Sequence, residues 1–163
     1  MAAGNGNEKS VVVLHKWASP PSSNPSTSDL SFDLECLKVE TYLRLAGIPH
    51  ETEVCSTPSS SPSSVLPCLE AGNGEYTVVG GLGDEIKNDS KVATYRILHH
   101  LKHECKNLNE GLSETDRARD VCFSSIANGI LNEACEYFTW THEGTFIEKT
   151  RPMYGSKYPF PLN

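Results

Sequence analysis

The stretch DLECLKVETYLRLAGIP, residues 33–49, predicts the helix on which the rest of the fold is built. Its apolar residues recur at helical spacing. One face of the helix is lined by Leu34, Leu37, Leu43 and Ala46, and beside them lie Cys36, Val39 and Tyr42. Ser31 or Asp33 can cap the start, because a side-chain oxygen there accepts an unpaired backbone N–H. Gly47 can adopt the left-handed conformation that ends a helix, and the proline that follows prevents continuation. We therefore predict a helix over residues 33–46.

The segments on both sides of this helix have the pattern of β-strands. Residues 10–17 contain a β-branched apolar run, and residues 51–55 alternate weakly between polar and apolar. Residues 65–70 are apolar around Pro67, which a central strand tolerates poorly because proline lacks an N–H. A strand is predicted in each of these three segments.

A hairpin and a second helix follow. Asn73-Gly74 predicts a type I′ turn, with a return strand over residues 75–79. Asp89 or Ser90 can cap the next helix, whose apolar stripe contains Ala93, Ile97, Leu101 and Cys105. The predicted order is β-α-β-β-β-α, in which a right-handed crossover makes the first two strands parallel and the hairpin antiparallel.

This order is the plan of a thioredoxin-like α/β domain as found in glutathione transferases, with the polar segment 56–64 in place of one helix. Leu66-Pro67 fits the position of the cis-proline in that fold. From Ser113 a capping-box pattern leads into apolar residues at helical spacing, which predict one helix over 113–140, about 40 Å long. We expect three regions: a disordered tail (1–9), a thioredoxin-like domain (10–106) and part of an all-helical transferase-like domain (113–163).

Composition and charge exclude two classes of function. The 163 residues carry 14 Lys and Arg against 21 Asp and Glu, a formal net charge of −7. Nucleic-acid binding needs clustered basic residues, so an acidic chain without a basic block argues against it. No run of apolar residues approaches the 18 or more that a membrane-spanning helix requires. We therefore expect any membrane attachment to come through a partner or through further sequence.

The cysteines indicate a reducing compartment. The N-terminal residues lack the pattern of a secretory signal, and no two cysteines form the Cys-x-x-Cys pair typical of zinc or dithiol sites. We expect reduced and mostly buried thiols at the six positions Cys36, Cys55, Cys68, Cys105, Cys122 and Cys135. No cofactor is indicated.

Three motifs, taken in order, resemble the metaxins and the related failed-axon-connections proteins. The first helix resembles that of both groups, whereas residues 61–67 (SPSSVLP) are similar to the metaxin turn into the third strand. The most specific likeness is the C-terminal pattern, in which a tryptophan is followed by a basic-aromatic segment. Its residues are Trp140, Arg151, Tyr154, Pro159, Phe160, Pro161, Leu162 and Asn163.

The resemblance implies a non-catalytic, transferase-shaped subunit of the mitochondrial outer-membrane sorting and assembly machinery. It implies residence on the cytosolic face, with the cytosol as the alternative, and help in inserting β-barrel proteins. The implied partners are the outer-membrane β-barrel assembly core and another metaxin-like subunit. Metaxins continue past the Pro-Phe-Pro-Leu-Asn segment, so we expect this chain to be shorter than a complete family member.

The alternative is a glutathione-dependent transferase or reductase. Its ligand site would use Cys36, Leu66, Pro67, Asp89 and Ser90, because a helix start lowers a thiol pKa and binds carboxylates. Against this, Asp33 occupies the usual leading cysteine position and Asp89-Ser90 also suits simple capping. The residues therefore favour a buried structural Cys36 and a chain that is not an enzyme.

The only histidine cluster is His99, His100 and His103. His99 and His103 are one helical turn apart, but no third ligand follows from the sequence, and a metal site needs three or four. A solvated helix face is the favoured interpretation, without a metal.

Overall fold

The computed structural model describes residues 12–17, 30–71, 77–79 and 89–155. The strands in this part of the chain form one sheet in the order β2-β1-β3-β4. They are β1 (Val12–Trp17), β2 (His50–Cys55), β3 (Cys68–Ala71) and β4 (Thr77–Val79). β2 is parallel to β1, whereas β3 is antiparallel to both β1 and β4. The predicted order of elements along the chain and the predicted strand directions are confirmed, and the order of strands in the sheet fits a thioredoxin-like fold.

The third strand begins later than predicted. The sequence indicated residues 65–70, but β3 starts at Cys68, directly after a cis Leu66-Pro67 peptide bond. Pro67 has no N–H to donate to a neighbouring strand, so regular pairing begins only beyond it. The predicted turn at Asn73-Gly74, the tail over 1–9 and the segment 80–88 lie outside the described residues.

The first helix has both of its predicted ends. α1 (Leu34–Ala46) starts at Asp33, whose side chain accepts the Cys36 N–H at 2.9 Å. It ends at Gly47, which has a φ of 66° in the left-handed region. The Gly47 and Ile48 N–H groups bond to the last carbonyls of the helix, so the chain turns sharply toward β2.

The buried face of α1 is rotated from the predicted one. The buried residues are Glu35, Cys36, Val39, Glu40, Leu43 and Ala46. Leu34 and Leu37 are only half-buried. Hydrophobicity alone gave the wrong centre for this face, because the buried Lys16 of β1 pairs with Glu40 and draws an acidic position inward.

The apolar stripe predicted for the second helix is wrong at its last residue, Cys105. α2 (Ser90–His100) buries Ala93, Thr94 and Ile97, and Leu101 follows them into the core. A wider turn over Leu101–Cys105 then closes with the Lys106 N–H on the Leu101 carbonyl at 2.9 Å. Because this bond spans five residues instead of four, Cys105 rotates out of the stripe and is exposed.

One hydrophobic cluster joins the sheet to both helices, and consists of Val12, Leu14, Val39, Leu43, Leu69, Ile97 and Leu101. These side chains are at most 4% exposed. The prediction of mostly buried thiols is wrong for the later cysteines. Cys36, Cys55 and Cys68 are buried, whereas Cys105 and Cys122 are exposed and Cys135 is half-buried.

The chain divides into two units, Met1–Leu108 and Asn109–Asn163. The second unit is helical where it is described, with α3 (Glu114–Ile126), α4 (Asn132–Glu136), α5 (Glu143–Thr145) and α6 (Arg151–Gly155) joined by wider helical turns. The Ser113 cap is confirmed, since its hydroxyl accepts the Asp116 N–H at 3.2 Å. The uninterrupted helix over 113–140 is wrong at Gly129, whose φ of −93° and ψ of −105° break the helical path.

Two leucines of α1 test which face carries the stability. Leu43 is fully buried and Leu45 is 70% exposed, although they share one helix. We expect Leu43→Ala to lower the free energy of unfolding by about 2–5 kcal/mol, because it removes transfer energy and leaves a cavity. Leu45→Ala is the matched control and should change it by less than about 0.5 kcal/mol. Denaturant titration of both variants measures this, and equal losses would contradict the assigned core.

Candidate functional site

The start of α1 is the place where a thiol would gain reactivity, because unpaired N–H groups and the helix dipole stabilise a thiolate. Here Asp33 occupies that position and accepts the Cys36 N–H. Ser31 orients the turn, since its hydroxyl accepts the Asp33 N–H at 3.2 Å and donates to the Trp17 carbonyl at 3.3 Å. One of the donors that would serve a thiolate or an anionic ligand, the Cys36 N–H, is therefore engaged by a carboxylate of the chain itself.

Cys36 lies below this cap and is fully buried. Its side chain packs in a small cluster with Cys55 and Leu66, against which Trp17 is placed. Burial raises the pKa of the Cys36 thiol far above its ordinary value, and the charge of Asp33 raises it further. A protonated and enclosed thiol is a poor nucleophile, so this arrangement favours the structural role predicted for Cys36.

The cis-proline segment packs against the same cluster. Leu66 is 2% exposed and the side chain of Pro67 is fully buried. The polar segment 56–64 precedes it and contains a buried residue, Ser61. The Ser61 hydroxyl is buried and donates to the Val65 carbonyl at 2.8 Å. This bond joins the loop to the residues that lead into β3.

The other two candidate ligand residues stand at the start of α2. Asp89 is exposed, and its carboxylate accepts the Lys91 N–H at 2.8 Å. Ser90 is the first helical residue, and its carbonyl accepts a hydrogen bond from the Thr94 hydroxyl at 2.9 Å. Simple capping accounts for these contacts. A glutathione site that uses Cys36, Leu66, Pro67, Asp89 and Ser90 stays a prediction.

A buried ionic cluster was missed by the sequence analysis. Glu40 is fully buried, and its two carboxylate oxygens accept from the Lys16 ammonium at 2.9 Å and the Arg44 guanidinium at 2.7 Å. The Ser31 backbone N–H adds a third, longer contact at 3.3 Å. The sequence feature that could have indicated this cluster is a lysine, Lys16, inside an apolar strand, together with Glu40 in the helix that follows.

Three strands contribute to a second polar group. His15 of β1 is 4% exposed, and its two ring nitrogens lie 3.4 Å from a carboxylate oxygen of Glu53 on β2 and 3.6 Å from one of Glu70 on β3. Neither nitrogen forms a well-aligned hydrogen bond within the described residues. This grouping was also missed, because the residues are distant in sequence and meet only through strand pairing.

The histidine cluster lies on a helix surface, as predicted. The His99 and His103 rings have centroids 4.3 Å apart and line an open groove with Tyr95, Arg96, His100 and Glu104. In the part of the chain that the structure describes, no three or more His, Cys, Asp or Glu residues are grouped to hold a metal ion.

The second unit brings together part of the C-terminal motif. The rings of Trp140 and Tyr154 have centroids 4.8 Å apart, and the Thr150 hydroxyl donates to the Thr139 carbonyl at 2.5 Å. Arg151 begins α6. The remaining motif residues, Pro159, Phe160, Pro161, Leu162 and Asn163, lie outside the described residues.

Much of the helical unit exposes apolar side chains. No residue of α3 is buried. Phe123 is 69% exposed and Ile130 is 76% exposed. Other exposed apolar residues of this unit are Val121, Ile126, Leu131, Tyr137, Phe138, Trp140, Phe146 and Ile147. Exposed apolar residues mark interaction sites where they adjoin to form a patch. None of the described helices is both long enough and apolar enough to span a bilayer.

The geometry defines a class of protein. It is a thioredoxin-like α/β unit whose nucleophile position is closed by a capping carboxylate, followed by a helical unit with exposed apolar residues.

Comparison with known proteins identifies the family. Residues 36–163 match the family model of Tom37, the outer mitochondrial membrane transport complex protein. Over 133 residues the chain is 32% identical to Metaxin-1 of Bos taurus and of Homo sapiens, and over 136 residues it is 31% identical to Metaxin-2 of Homo sapiens. Each alignment covers 82% of this chain. The chain belongs to the metaxin family, which confirms the resemblance seen in the sequence.

The relatives are considerably longer. The alignments cover 38% of bovine Metaxin-1, 26% of human Metaxin-1 and 46% of human Metaxin-2. The chain therefore spans less than half the length of each of these proteins. All the C-terminal motif residues from Trp140 to Asn163 lie inside the region matched by the family model.

Thiol labelling tests the enclosed state of Cys36. In the native protein at neutral pH, Ellman's reagent should modify the exposed Cys105 and Cys122 rapidly, and Cys36, Cys55 and Cys68 only on unfolding.

The free energy of unfolding should also fall as pH rises above the ordinary thiol pKa of 9.0. There the unfolded Cys36 loses its proton while the folded one, with its raised pKa, retains it.

The matched control for labelling is Cys36→Ala, which should leave the number of rapidly modified thiols unchanged. Mass spectrometry after digestion assigns the modified positions. Rapid modification of Cys36 in the folded protein would show that this thiol is accessible and would contradict the assignment.

A double-mutant cycle tests the buried ion pair. Lys16→Met leaves Glu40 without one of its cations, and we expect it to cost about 3–5 kcal/mol of unfolding free energy. The double variant Lys16→Met/Glu40→Leu should lose less than the sum of the two single losses, by about 0.5–3 kcal/mol. Urea titration measures all four proteins of the cycle.

The control is an exposed pair of the helical unit. Arg119 lies 3.0 Å from Asp116 with both side chains largely in solvent, so Arg119→Ala should cost less than about 1 kcal/mol. Strictly additive losses for Lys16 and Glu40 would mean that the pair does not act as one unit.

Proposed function

We propose that this chain acts as a non-catalytic scaffold subunit of the protein transport machinery of the mitochondrial outer membrane. We further propose that it works on the cytosolic face and assists the assembly of β-barrel proteins. The observation that carries the proposal is the family match over residues 36–163. It is supported by an α1 start that contains a capping carboxylate in place of an exposed thiol.

The site chemistry supports a scaffold over a glutathione-dependent enzyme. Transfer to or from glutathione needs an accessible thiolate or a hydroxyl that activates the substrate thiol. The Cys36 thiol is enclosed and has a raised pKa, and Asp33 places a like charge beside any thiolate that would form. Asp89 is engaged as a helix cap. These contacts suit a transferase-like fold that does not catalyse glutathione transfer.

The helical unit supports a role in assembly. Its exposed aromatic and aliphatic residues, among them Phe123 and Ile130, form the kind of surface that protein partners cover. We propose that this surface contacts another metaxin-like subunit or the β-barrel assembly core. Mitochondrial outer-membrane residence then follows from the complex in which the chain takes part.

The test replaces the endogenous protein in cells with defined variants. Mitochondria that lack the protein should assemble an imported outer-membrane β-barrel precursor more slowly, and the unaltered chain should restore assembly. Cys36→Ala should restore it equally, because the thiol has no catalytic role. Ile130→Asp should reduce co-purification of outer-membrane partners several-fold, because a carboxylate is costly in an apolar contact. Assembly is followed by native gel electrophoresis.

Leu45→Asp is the matched control, since Leu45 is equally exposed but lies on α1. It should restore assembly and leave co-purification unchanged. Retention on immobilised glutathione, together with a glutathione-dependent activity that Cys36→Ala abolishes, would overturn the scaffold proposal. Unchanged β-barrel assembly without the protein would overturn its transport role.

A further inference from the structure

The outer edge of β2 is an unpartnered strand surface. β2 is the terminal strand of the four-stranded sheet and pairs with β1 along its whole length. No described strand pairs with its other side. Residues 51–54 are all exposed, so the strand is open on both faces as well as along this edge. Such an edge offers backbone N–H and C=O groups for the addition of another strand.

The two faces of β2 differ in chemistry. Glu51 and Glu53 point to one face of the sheet, and Thr52 and Val54 point to the other, because successive side chains alternate. The two glutamates are about 7 Å apart along the strand. Val54 is 55% exposed, which leaves an apolar contact on the opposite face. The edge therefore has an acidic side and a weakly apolar side.

The acidic side has no ion pair with a lysine or arginine among the described residues. Among the described ion pairs, Glu53 contacts only His15, with 63% of the Glu53 side chain still exposed, and Glu51 has no pair with a lysine or arginine. A second copy of this chain would bring glutamates close to glutamates, and like charges on paired strands are destabilising. The charge pattern thus selects against self-pairing.

We propose that the free edge of β2 binds an extended segment of a partner protein by strand addition. The segment carries lysine or arginine at two alternate positions facing Glu51 and Glu53, and apolar residues at the positions between them. Backbone hydrogen bonds supply affinity that is independent of sequence, whereas the alternating charges supply register and selectivity. This surface is separate from the apolar residues of the helical unit and does not depend on the proposed transport role.

The experiment titrates the full chain with a fluorescent peptide, Thr-Lys-Val-Lys-Val-Thr, capped at both ends. Binding should newly protect from hydrogen exchange every second backbone amide of residues 50–55, namely those that point away from β1. Glu51→Lys/Glu53→Lys should weaken binding about tenfold, because two opposite-charge pairs become like-charge pairs. The same variant should gain affinity for the matching peptide with glutamate in place of lysine. Fluorescence anisotropy measures these affinities, and NMR measures the exchange.

Two controls separate strand addition from a general charge effect. Glu133→Lys/Glu148→Lys makes the same change in net charge at exposed positions of the helical unit and should leave the affinity within about twofold. A peptide methylated at every backbone nitrogen keeps both lysines but cannot donate ladder hydrogen bonds, and it should not bind. If the charge-reversed protein does not fold, Glu51→Gln/Glu53→Gln takes its place and should weaken binding about threefold.

Several outcomes overturn the proposal. These are an absence of binding at millimolar peptide, equal affinity for the methylated peptide, and an affinity unaffected by substitution of Glu51 and Glu53. Protection of amides elsewhere without protection of residues 50–55 also overturns it. Self-association that protects these same amides would identify a second copy, not a basic segment, as the occupant.

Discussion

The buried carboxylate of Glu40 is the constraint on which the first unit depends. A buried charge is tolerated only when several donors satisfy it. Removing one of its partners leaves an uncompensated buried charge, which strongly destabilises the fold. Glu40 is satisfied by Lys16 from β1, Arg44 one turn along α1, and the backbone of Ser31 before the helix. Three segments of the chain must therefore meet in one arrangement. The apolar cluster favours collapse of the helix onto the sheet, and Glu40 selects the rotation at which this occurs.

The position of Ser31 carries this constraint to the start of α1. Ser31 is tied to Glu40 through its backbone and to the Trp17 carbonyl through its hydroxyl, and it accepts the Asp33 N–H. Asp33 is thereby oriented to cap the helix above Cys36. The network that fixes the fold also fills the place where a related architecture would hold a reactive group. A reactive group at this site would require more than one substitution, because the capping residue and its support are parts of the same network.

The sequence predicted those features that have local causes. Gly47 and Asp33 define the ends of α1 by backbone conformation and capping, and strand order follows from connection rules, so all of these were found. The Lys16–Glu40 pair was not, because hydrophobic periodicity treats every charged residue as external. The prediction placed Cys105 in the apolar stripe of α2, but a wider helical turn rotates it outward. The helix predicted over 113–140 is broken at Gly129, although the apolar spacing continues across that residue. The burial of Cys36 was predicted as well, since Asp33 occupies the usual cysteine position at the helix start.

The two units expose surfaces of different kinds, and this difference bears on how the proposed scaffold subunit would select its partners. Apolar side chains such as Phe123 and Ile130 give contact energy with little directional preference. The edge of β2 offers the opposite: hydrogen bonds of fixed direction, with charges spaced by the pleat of the strand. A partner that uses only the apolar surface can be replaced by other apolar proteins, whereas one that also adds a strand must match in backbone conformation and charge. Under these two proposals, selectivity comes from the directional edge of β2, and residence time comes from the apolar surface.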